Sequence, residues 1–225
     1  MRSSRAMRPI VAKFMPGEDL EDAMVAVRKL RAEGTPTIVT YLGENVSTDA
    51  AADLTVIEYE RLFAALRAEG ADAHVSIKLT QFGWDVDQSR ALERVRRLVR
   101  IAAADKTILA VDMESSGYVE STVAAYEKLA RESDNTAICV QAYLHRTQAD
   151  LQRLLGLRPY IRLVKGAYRE PADVALSRRA DVDARYRLLA RELLGAPGAG
   201  VRVVFGTHDL ELIAGIRRDA RVLGV

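Results

Sequence analysis

The sequence predicts a (β/α)8 barrel of the TIM type, incomplete here, with about six strands and the start of a seventh in 225 residues. Short β-branched runs alternate with longer segments whose apolar residues have helical spacing. Such alternation indicates a parallel sheet covered by helices. A doubly wound Rossmann sheet would also alternate, but it needs a glycine-rich phosphate loop after its first strand. The first strand here runs into YLGENV, which has no such loop, so the barrel is favoured.

The apolar pattern places the elements in order along one domain, residues 1–225, because no Pro-, Gly- or Ser-rich linker interrupts it. A helix over Glu18–Glu33 ends at Gly34, a residue typical of helix C-termini, and the next helix ends at Gly70. Strands are predicted over Thr37–Leu42, His74–Leu79, Ile108–Asp112, Ile138–Tyr143, Ile161–Lys165 and Val201–Gly206.

Helical stripes fill the intervals between these strands. One helix is expected to begin at Thr147 and Asp150, which have the spacing of a capping box. The apolar residues of the predicted stripes are Val56, Tyr59, Phe63 and Leu66; Ala91, Leu92, Val95, Leu98, Val99 and Ala102; Val119, Val123, Tyr126 and Leu129; Leu151, Leu154 and Leu155; Val182, Tyr186, Leu189 and Leu193; and Leu210, Ile213 and Ile216.

Composition excludes several classes of function. Basic and acidic residues nearly cancel, giving a net charge of +2, whereas a nucleic-acid-binding protein concentrates positive charge. A single cysteine, Cys139, fits a reducing compartment. The segment Met1–Pro9 is basic and lacks the apolar run of a signal peptide, and no stretch approaches the length of a membrane span. We therefore expect a cytoplasmic protein.

Polar side chains occur at or just after the end of almost every predicted strand. In a parallel barrel the carboxyl ends of the strands meet at one mouth, where active sites are assembled from several strands. We therefore expect these residues to surround one site. They are Glu44, Lys78, Asp112, Glu114, Gln141, Tyr143, Arg162, Lys165, Thr207 and His208.

Each of these residues also has a structural interpretation. Lys78 alternates with Ile77 and Leu79, and a lysine that extends to water explains it about as well as a catalytic one. Asp112 and Glu114 share a face, which suits an acid–base pair, a metal site or a helix N-cap, and capping is the commonest role.

The remaining candidates differ in strength. His208 with Asp209 suggests a metal or proton-transfer site, but no second histidine lies nearby. Arg162 lies between apolar neighbours, so it needs an anion or a carboxylate inside the barrel. Gly166 permits close approach of a ligand or simply forms a turn. Cys139 lies in an apolar run and is interpreted as core packing.

The sequence resembles the proline dehydrogenase family over nearly its whole length. The matching motifs occur in the family's order and spacing, and RLVKGAYREP is the most diagnostic of them. Its combination with DME, QAY and THD is highly specific. The full set is KFMPGEDLEDA, YLGENV, VSIKLTQFG, VDMESSGY, CVQAYLHRT, RLVKGAYREP and FGTHDLELI.

This resemblance implies an FAD-bearing barrel that oxidises L-proline to Δ1-pyrroline-5-carboxylate and passes electrons to a membrane quinone. It implies no metal and no nucleic acid. It is also compatible with peripheral contact at the inner face of a membrane and with a pyrroline-5-carboxylate dehydrogenase partner that takes the product.

The resemblance also implies roles for individual residues. Lys78 is similar to the lysine that pairs with the substrate carboxylate, and Asp112 to the aspartate of the catalytic hydrogen-bond network. Arg162 is similar to the arginine near flavin N5. The further positions implied to contact FAD are Met113, Gln141, Lys165, Gly166, Ala167, Thr207 and His208.

Two departures from the family pattern limit these expectations. Tyr41 stands before LGE where the family usually has an aspartate, and no role is assigned to it. The sequence ends at Leu223–Val225, where the seventh strand is expected to start. The eighth strand and the final helix, which carries the tyrosine and arginine pair that hold the proline carboxylate, are therefore expected to be missing.

Alternative functions remain open on sequence alone. The chain could be a fragment of the same family that binds flavin without catalysis. It could instead be another barrel enzyme, either one that uses Lys165 as a Schiff-base lysine or a flavin-dependent folate reductase.

Overall fold

The computed structural model describes residues 17, 19–196 and 200–225. The basic segment Met1–Pro9, residues 13–16 of the KFMPGEDLEDA motif and the predicted helix start at Glu18 lie outside the described residues. Strands and helices alternate from the first helix to the last. Their bounds are α1 Leu20–Ala32, β1 Thr37–Thr40, α2 Asp49–Ala68, β2 Ala73–Ile77, α3 Gln88–Ala104, β3 Leu109–Val111, α4 Val119–Glu132, β4 Thr136–Gln141, α5 Thr147–Leu155, β5 Tyr160–Val164, α6 Arg179–Leu194, β6 Arg202–Gly206 and α7 Leu210–Leu223.

The strands form one sheet of six parallel strands in the order β1-β2-β3-β4-β5-β6. This sequential order confirms the predicted barrel class over the present strands, which curl into a half-barrel. Strands β1 to β5 end one or two residues earlier than predicted, because the chain turns as soon as its apolar alternation stops, whereas β6 ends at Gly206 as predicted. Leu223 is the last residue of α7 and Gly224 follows in the left-handed conformation, so the residues expected to begin a seventh strand end a helix instead.

The helices cover the convex face of the sheet in two groups. Val75, Ile77, Leu109 and Val111 pack with the helices α1 to α3. Ile138, Val140, Ile161 and Leu163 pack with the later helices, α4 to α7. Alternate residues of each strand therefore face the helices, and the residues between them face the concave side.

Most predicted helix ends are confirmed, and one is corrected. Gly34 and Gly70 have φ of 69° and 56°, the left-handed conformation that terminates a helix. The capping box at Thr147 and Asp150 was wrong. Thr147 is the first residue of α5 and its hydroxyl donates to the carbonyl oxygen of Gln141, while Asp150 accepts from Arg146 at 2.8 Å.

The apolar stripe predicted for the last helix is also corrected. Leu210 is 79% exposed, whereas Leu212 is fully buried and Ile216 is 9% exposed. Asp209 lies just before the helix and caps it by accepting from the backbone of Glu211 and Leu212. The cap makes Leu210 the first helical residue and turns its side chain away from the core.

A short 3-10 helix, Leu79–Phe82, follows β2 and was not predicted. Gln81 holds it in place: its side-chain oxygen accepts from the backbone of Lys78 at 2.9 Å, and its amide donates to the carbonyl oxygen of Tyr41 at 2.6 Å. The guanidinium of Arg94 donates to the carbonyl oxygen of Phe82 at 3.1 Å. These contacts fix the end of β2. Of the helices in the described ranges, none has the length and apolar character needed to cross a bilayer.

Candidate functional site

The parallel register brings side chains from four strand ends to one level of the concave face. Cys139 pairs with Arg162, and Arg162 with Val204. Ile77 pairs with Val111, and Val111 pairs with Ile138. The next residue of each strand is therefore also aligned, which places Lys78 and Asp112 at the level of Cys139. Each residue at this level directly follows a strand residue that faces the helices, so its side chain points to the concave face. The four residues that lie side by side are Lys78, Asp112, Cys139 and Arg162.

Arg162 and Asp112 form the central ion pair of this level. Nη1 of Arg162 lies 3.0 Å from Oδ1 of Asp112, and both side chains are partly exposed to the cleft. Burial raises the pKa of Asp112, while the positive charge of Arg162 opposes that rise. Asp112 caps none of the described helices, so the interpretation of this residue as an N-cap was wrong.

Lys78 is held by a carboxylate from the neighbouring loop. Its Nζ lies 2.8 Å from Oε1 of Glu44, and the same oxygen accepts a hydrogen bond from the Tyr168 hydroxyl at 3.1 Å. The hydrogen bond with Lys78 lowers the pKa of Glu44. Lys78 therefore faces the cleft and is not a helix-side lysine that extends to water.

Glu114 turns away from Asp112 and serves the scaffold. It is 2% exposed, and its two carboxylate oxygens accept from the backbone N–H and the hydroxyl of Thr80, at 3.2 and 2.5 Å. Burial raises its pKa. The two carboxylates that share a face in the sequence are thus separated, and they do not form an acid–base pair.

Gln141 links three strand ends. Its Nε2 donates to the carbonyl oxygen of Glu114 at 2.9 Å, and its Oε1 accepts from the backbone of Ala167 at 3.3 Å. Because Gln141 is 2% exposed, its orientation is fixed by these contacts. Gln141 also lines the cleft, and its amide carries a second N–H beside the one that Glu114 accepts.

Lys165 lies between two carboxylates at the exits of β5 and β6. Its Nζ is 2.5 Å from Oδ1 of Asp183 and 2.9 Å from Oδ2 of Asp209. Burial acts to lower the pKa of Lys165, but the hydrogen bonds with Asp183 and Asp209 outweigh it and raise that pKa. A Schiff-base lysine needs the opposite shift, so this geometry disfavours the aldolase-like alternative.

The turn after β5 brings backbone close to the cleft. Gly166 has φ of +126°, and a Cβ there would lie 2.3 Å from the Tyr143 ring. Tyr143 therefore packs under the turn instead of entering the cleft. Gly206 on the neighbouring strand is also closely packed, since a Cβ there would lie 2.9 Å from Cγ1 of Val164.

Together these residues surround one cleft of about 830 Å³ at the carboxyl end of the sheet. A volume of this size is typical of small-molecule and cofactor sites. Every residue for which the resemblance implied a role lines this cleft, although the roles themselves stay predictions. These residues are Lys78, Asp112, Met113, Gln141, Arg162, Lys165, Gly166, Ala167, Thr207 and His208.

The family resemblance implied no role for several other residues of the cleft. Glu44, Tyr168 and Asp209 are next to or inside the matched motifs, so their motif membership was the available clue. Arg179 was not identifiable, because it starts a helix eight residues after RLVKGAYREP and belongs to none of the matched motifs. Cys139 forms part of the floor, and its burial raises the pKa of the thiol to about 12.

The chain was found to be similar to known proteins over most of its length. Residues 23–225 match the family model described as Proline dehydrogenase. The chain is 29% identical to Proline dehydrogenase 2 of Bacillus subtilis (strain 168) over 97% of this chain and 71% of that protein. It is 33% identical to the Proline dehydrogenase of Deinococcus radiodurans, over 96% of this chain and 70% of that protein.

A solved structure shares the fold. The chain superimposes with a TM-score of 0.84 on proline utilization A (PutA) from Bdellovibrio bacteriovorus, inactivated by N-propargylglycine. The sequences are 22% identical, and the match covers 93% of this chain and 26% of the PutA chain. The chain therefore spans about a quarter of that larger protein.

Proposed function

The chain belongs to the proline dehydrogenase family, and from this premise we propose that it is an FAD-dependent enzyme that oxidises L-proline to Δ1-pyrroline-5-carboxylate. Electrons would pass from the reduced cofactor to a quinone. The observation that carries this proposal is the shared level of Lys78, Asp112 and Arg162, which sets two cations and a carboxylate along one wall of the cleft.

The residues of the cleft fit a flavin. The cleft of about 830 Å³ has room for a flat ring system, and the buried Gln141, held by Glu114 and Ala167, lies on its wall. Met113, Arg162, Ala167, Thr207 and His208 complete the set that would hold FAD, which supplies the acceptor for hydride. Lys165 is already paired with Asp183 and Asp209, so it would contribute to the cofactor site mainly by fixing the exits of β5 and β6.

The charged residues account for substrate binding and for charge stabilisation. The Lys78 ammonium would pair with the carboxylate of L-proline, which would replace or join Glu44 at Nζ. Fixing the carboxylate limits rotation of the substrate ring. Arg162 is a cation fixed by Asp112, and it would stabilise negative charge that develops on a bound flavin. Burial raises the pKa of Asp112, which favours proton transfer to its carboxylate.

The acceptor and partners follow from the same proposal. A quinone acceptor resides in a membrane, so a cytoplasmic enzyme would make peripheral contact with the inner face of that membrane. The imine product would be consumed by a pyrroline-5-carboxylate dehydrogenase. Reoxidation of the reduced enzyme by a water-soluble quinone, faster than by NAD⁺, would support this acceptor class.

The direct test is an anaerobic titration of the FAD-loaded protein with L-proline. We expect the visible absorbance of oxidised flavin to fall with L-proline and not with glycine, and we expect a quinone to restore it. Flavin that binds but is not bleached would identify a catalytically incompetent flavin-binding protein. Failure to bind flavin would refute the cofactor assignment. Bleaching by a reduced folate but not by proline would favour the folate reductase alternative.

A further inference from the structure

The loop between β5 and α6 crosses the mouth of the cleft. Residues 166–176, here called the strap, start at Gly166, whose φ of +126° redirects the chain out of the sheet. Ala167 and Tyr168 of the strap line the cleft. The strap therefore forms part of the wall against which a ligand would rest.

The base of the strap is anchored on the chain that follows β4. Leu144 and Ala175 form an antiparallel bridge, the backbone of Leu176 donates to the carbonyl oxygen of Tyr143 at 2.8 Å, and that of His145 donates to Val174 at 3.0 Å. These are backbone contacts, so side-chain changes at the tip leave them in place.

The tip of the strap is tied to other strand ends by side chains. Glu170 accepts at both carboxylate oxygens from Ser116, at 2.6 Å from the backbone N–H and 2.6 Å from the hydroxyl. Tyr168 donates to Glu44, which follows β1. Ser116 lies three residues after Met113, so Glu170 connects the wall after β5 with the wall after β3.

We propose that Glu170 is a positioning residue, which ties the strap to Ser116 and thereby holds Ala167 on Gln141 and Tyr168 on Glu44, the carboxylate that orients the substrate-binding Lys78. The proposal rests on the proposed function of the cleft. Glu170 is not among the residues that line the cleft, so it acts through its neighbours. Without the Glu170 side chain, the strap samples other positions. The apparent affinity for L-proline then falls in proportion to the fraction of molecules in the binding-competent arrangement.

Three substitutions separate hydrogen-bond geometry from charge. Glu170→Ala removes both acceptors. Glu170→Gln can still accept from the Ser116 N–H and donate to its hydroxyl, so it keeps the bridge without the charge. Glu170→Asp keeps the charge but is one methylene shorter. Glu127→Ala is the matched control, since Glu127 also binds through both oxygens, to Arg153 on the outer helices at 2.8 and 2.6 Å.

The first measurement is hydrogen–deuterium exchange of the whole protein without substrate. In Glu170→Ala we expect faster exchange in the strap and at the Ser116 amide, with unchanged exchange in β4 and an unchanged thermal midpoint. Glu170→Gln should stay close to the unaltered protein, and Glu127→Ala should leave the strap unaffected. Unchanged exchange of the strap in Glu170→Ala would overturn the proposal.

The second measurement is steady-state oxidation of L-proline. Glu170→Ala and Glu170→Asp should raise KM about tenfold, equivalent to about 1.4 kcal/mol, with kcat within threefold. Glu170→Gln should rescue KM. A loosened strap with unchanged KM, or a Gln variant as impaired as the Asp variant, would refute the positioning role alone. Absence of proline-dependent flavin reduction in the unaltered protein would refute the proposed function and, with it, the effect on KM.

Discussion

Arg162 and Lys78 are cations on the same wall of the cleft, yet they have different partners. Arg162 faces the partly buried Asp112 at 3.0 Å, whereas Lys78 faces the more exposed Glu44 at 2.8 Å. A cation deep in the site acts on charge that develops in the reaction, and a cation near solvent acts on a charge that the substrate already carries. Substitutions at the two positions should therefore affect different kinetic constants.

We expect Arg162→Met to lower kcat by about 100-fold or more, the usual cost of removing one group that stabilises transition-state charge. Lys78→Met should instead raise KM for L-proline by about 10- to 100-fold, equivalent to the loss of a hydrogen bond to a charged group. Steady-state assays of both variants test this, with Arg153→Met on the outer surface as the control. Equal effects of both substitutions on KM alone would contradict the separate roles.

Asp209 provides a pH-dependent contribution to stability. The hydrogen bond from Lys165, followed by that from the Leu212 backbone, lowers the pKa of Asp209 to about 2. A carboxyl with a lowered pKa stabilises the folded state at pH values above its ordinary pKa near 4, and that contribution is lost as the pH falls toward 2.

Asp209→Asn tests this effect, because asparagine keeps the ability to cap α7 but removes the charge. We expect the variant to be less stable than the unaltered protein at neutral pH, and we expect the difference to shrink as the pH falls from about 4 toward 2. Chemical unfolding at a series of pH values measures it. A difference that is independent of pH would show that the ion pair with Lys165 adds no stability.

At the scale of elements, the exit of β5 depends on a residue without a side chain. Gly166 combines a φ of +126° with a Tyr143 ring that occupies the space of a Cβ. Any other residue is strained in both respects. The tight turn after β5 lets the backbone N–H of Ala167 reach the side-chain oxygen of Gln141.

Gly166→Ala should therefore destabilise the fold by about 1–3 kcal/mol, the range for overpacking and for backbone strain. Gly117→Ala is the matched control, since no atom lies within 4 Å of a Cβ there, and it should change stability by less than about 0.5 kcal/mol. Denaturant unfolding of both variants gives the comparison. Similar stability of the two would show that Tyr143 moves aside without cost.

The elements differ in how well their sequence predicts them. The helices and strands were predictable because periodicities of two and of 3.6 residues reflect local geometry. The grouping of the cleft residues at one end of the sheet was predictable, because parallel strands have their carboxyl ends at the same edge. The motif resemblance was needed to assign roles to these residues. Glu114, the 3-10 helix and the Glu170–Ser116 contact were not predictable, because their partners are distant in sequence and leave no periodic pattern. The Thr147 capping box failed because the helix begins one residue earlier than a cap would require.

For the whole molecule, burial decreases from the centre of the sheet to its edges. All residues of β4 are buried, whereas β1 alternates between partly buried and exposed residues and β6 has no fully buried residue. Among the described strands, β1 and β6 each have one neighbour and the others have two. Local opening should therefore start at the two edges.

We expect backbone hydrogen exchange to be slowest in β3 and β4, faster in β2 and β5, and fastest in β1 and β6. The measurement is native-state exchange followed by mass spectrometry. Loading with FAD should slow exchange most in β5 and β6, whose ends would contact the cofactor. Uniform protection of all six strands would mean that the sheet opens only as a whole.

The floor of the cleft contains the only thiol in the sequence, Cys139, on the most buried strand. At neutral pH this sulfur stays protonated and is only 5% exposed, so an alkylating reagent entering the cleft modifies the native protein only when the floor of the cleft opens. The rate of alkylation therefore measures how often the floor of the cleft opens. Since Cys139 borders Asp112 and Arg162 at the same level, a cofactor or substrate in the cleft should lower the rate of alkylation of Cys139.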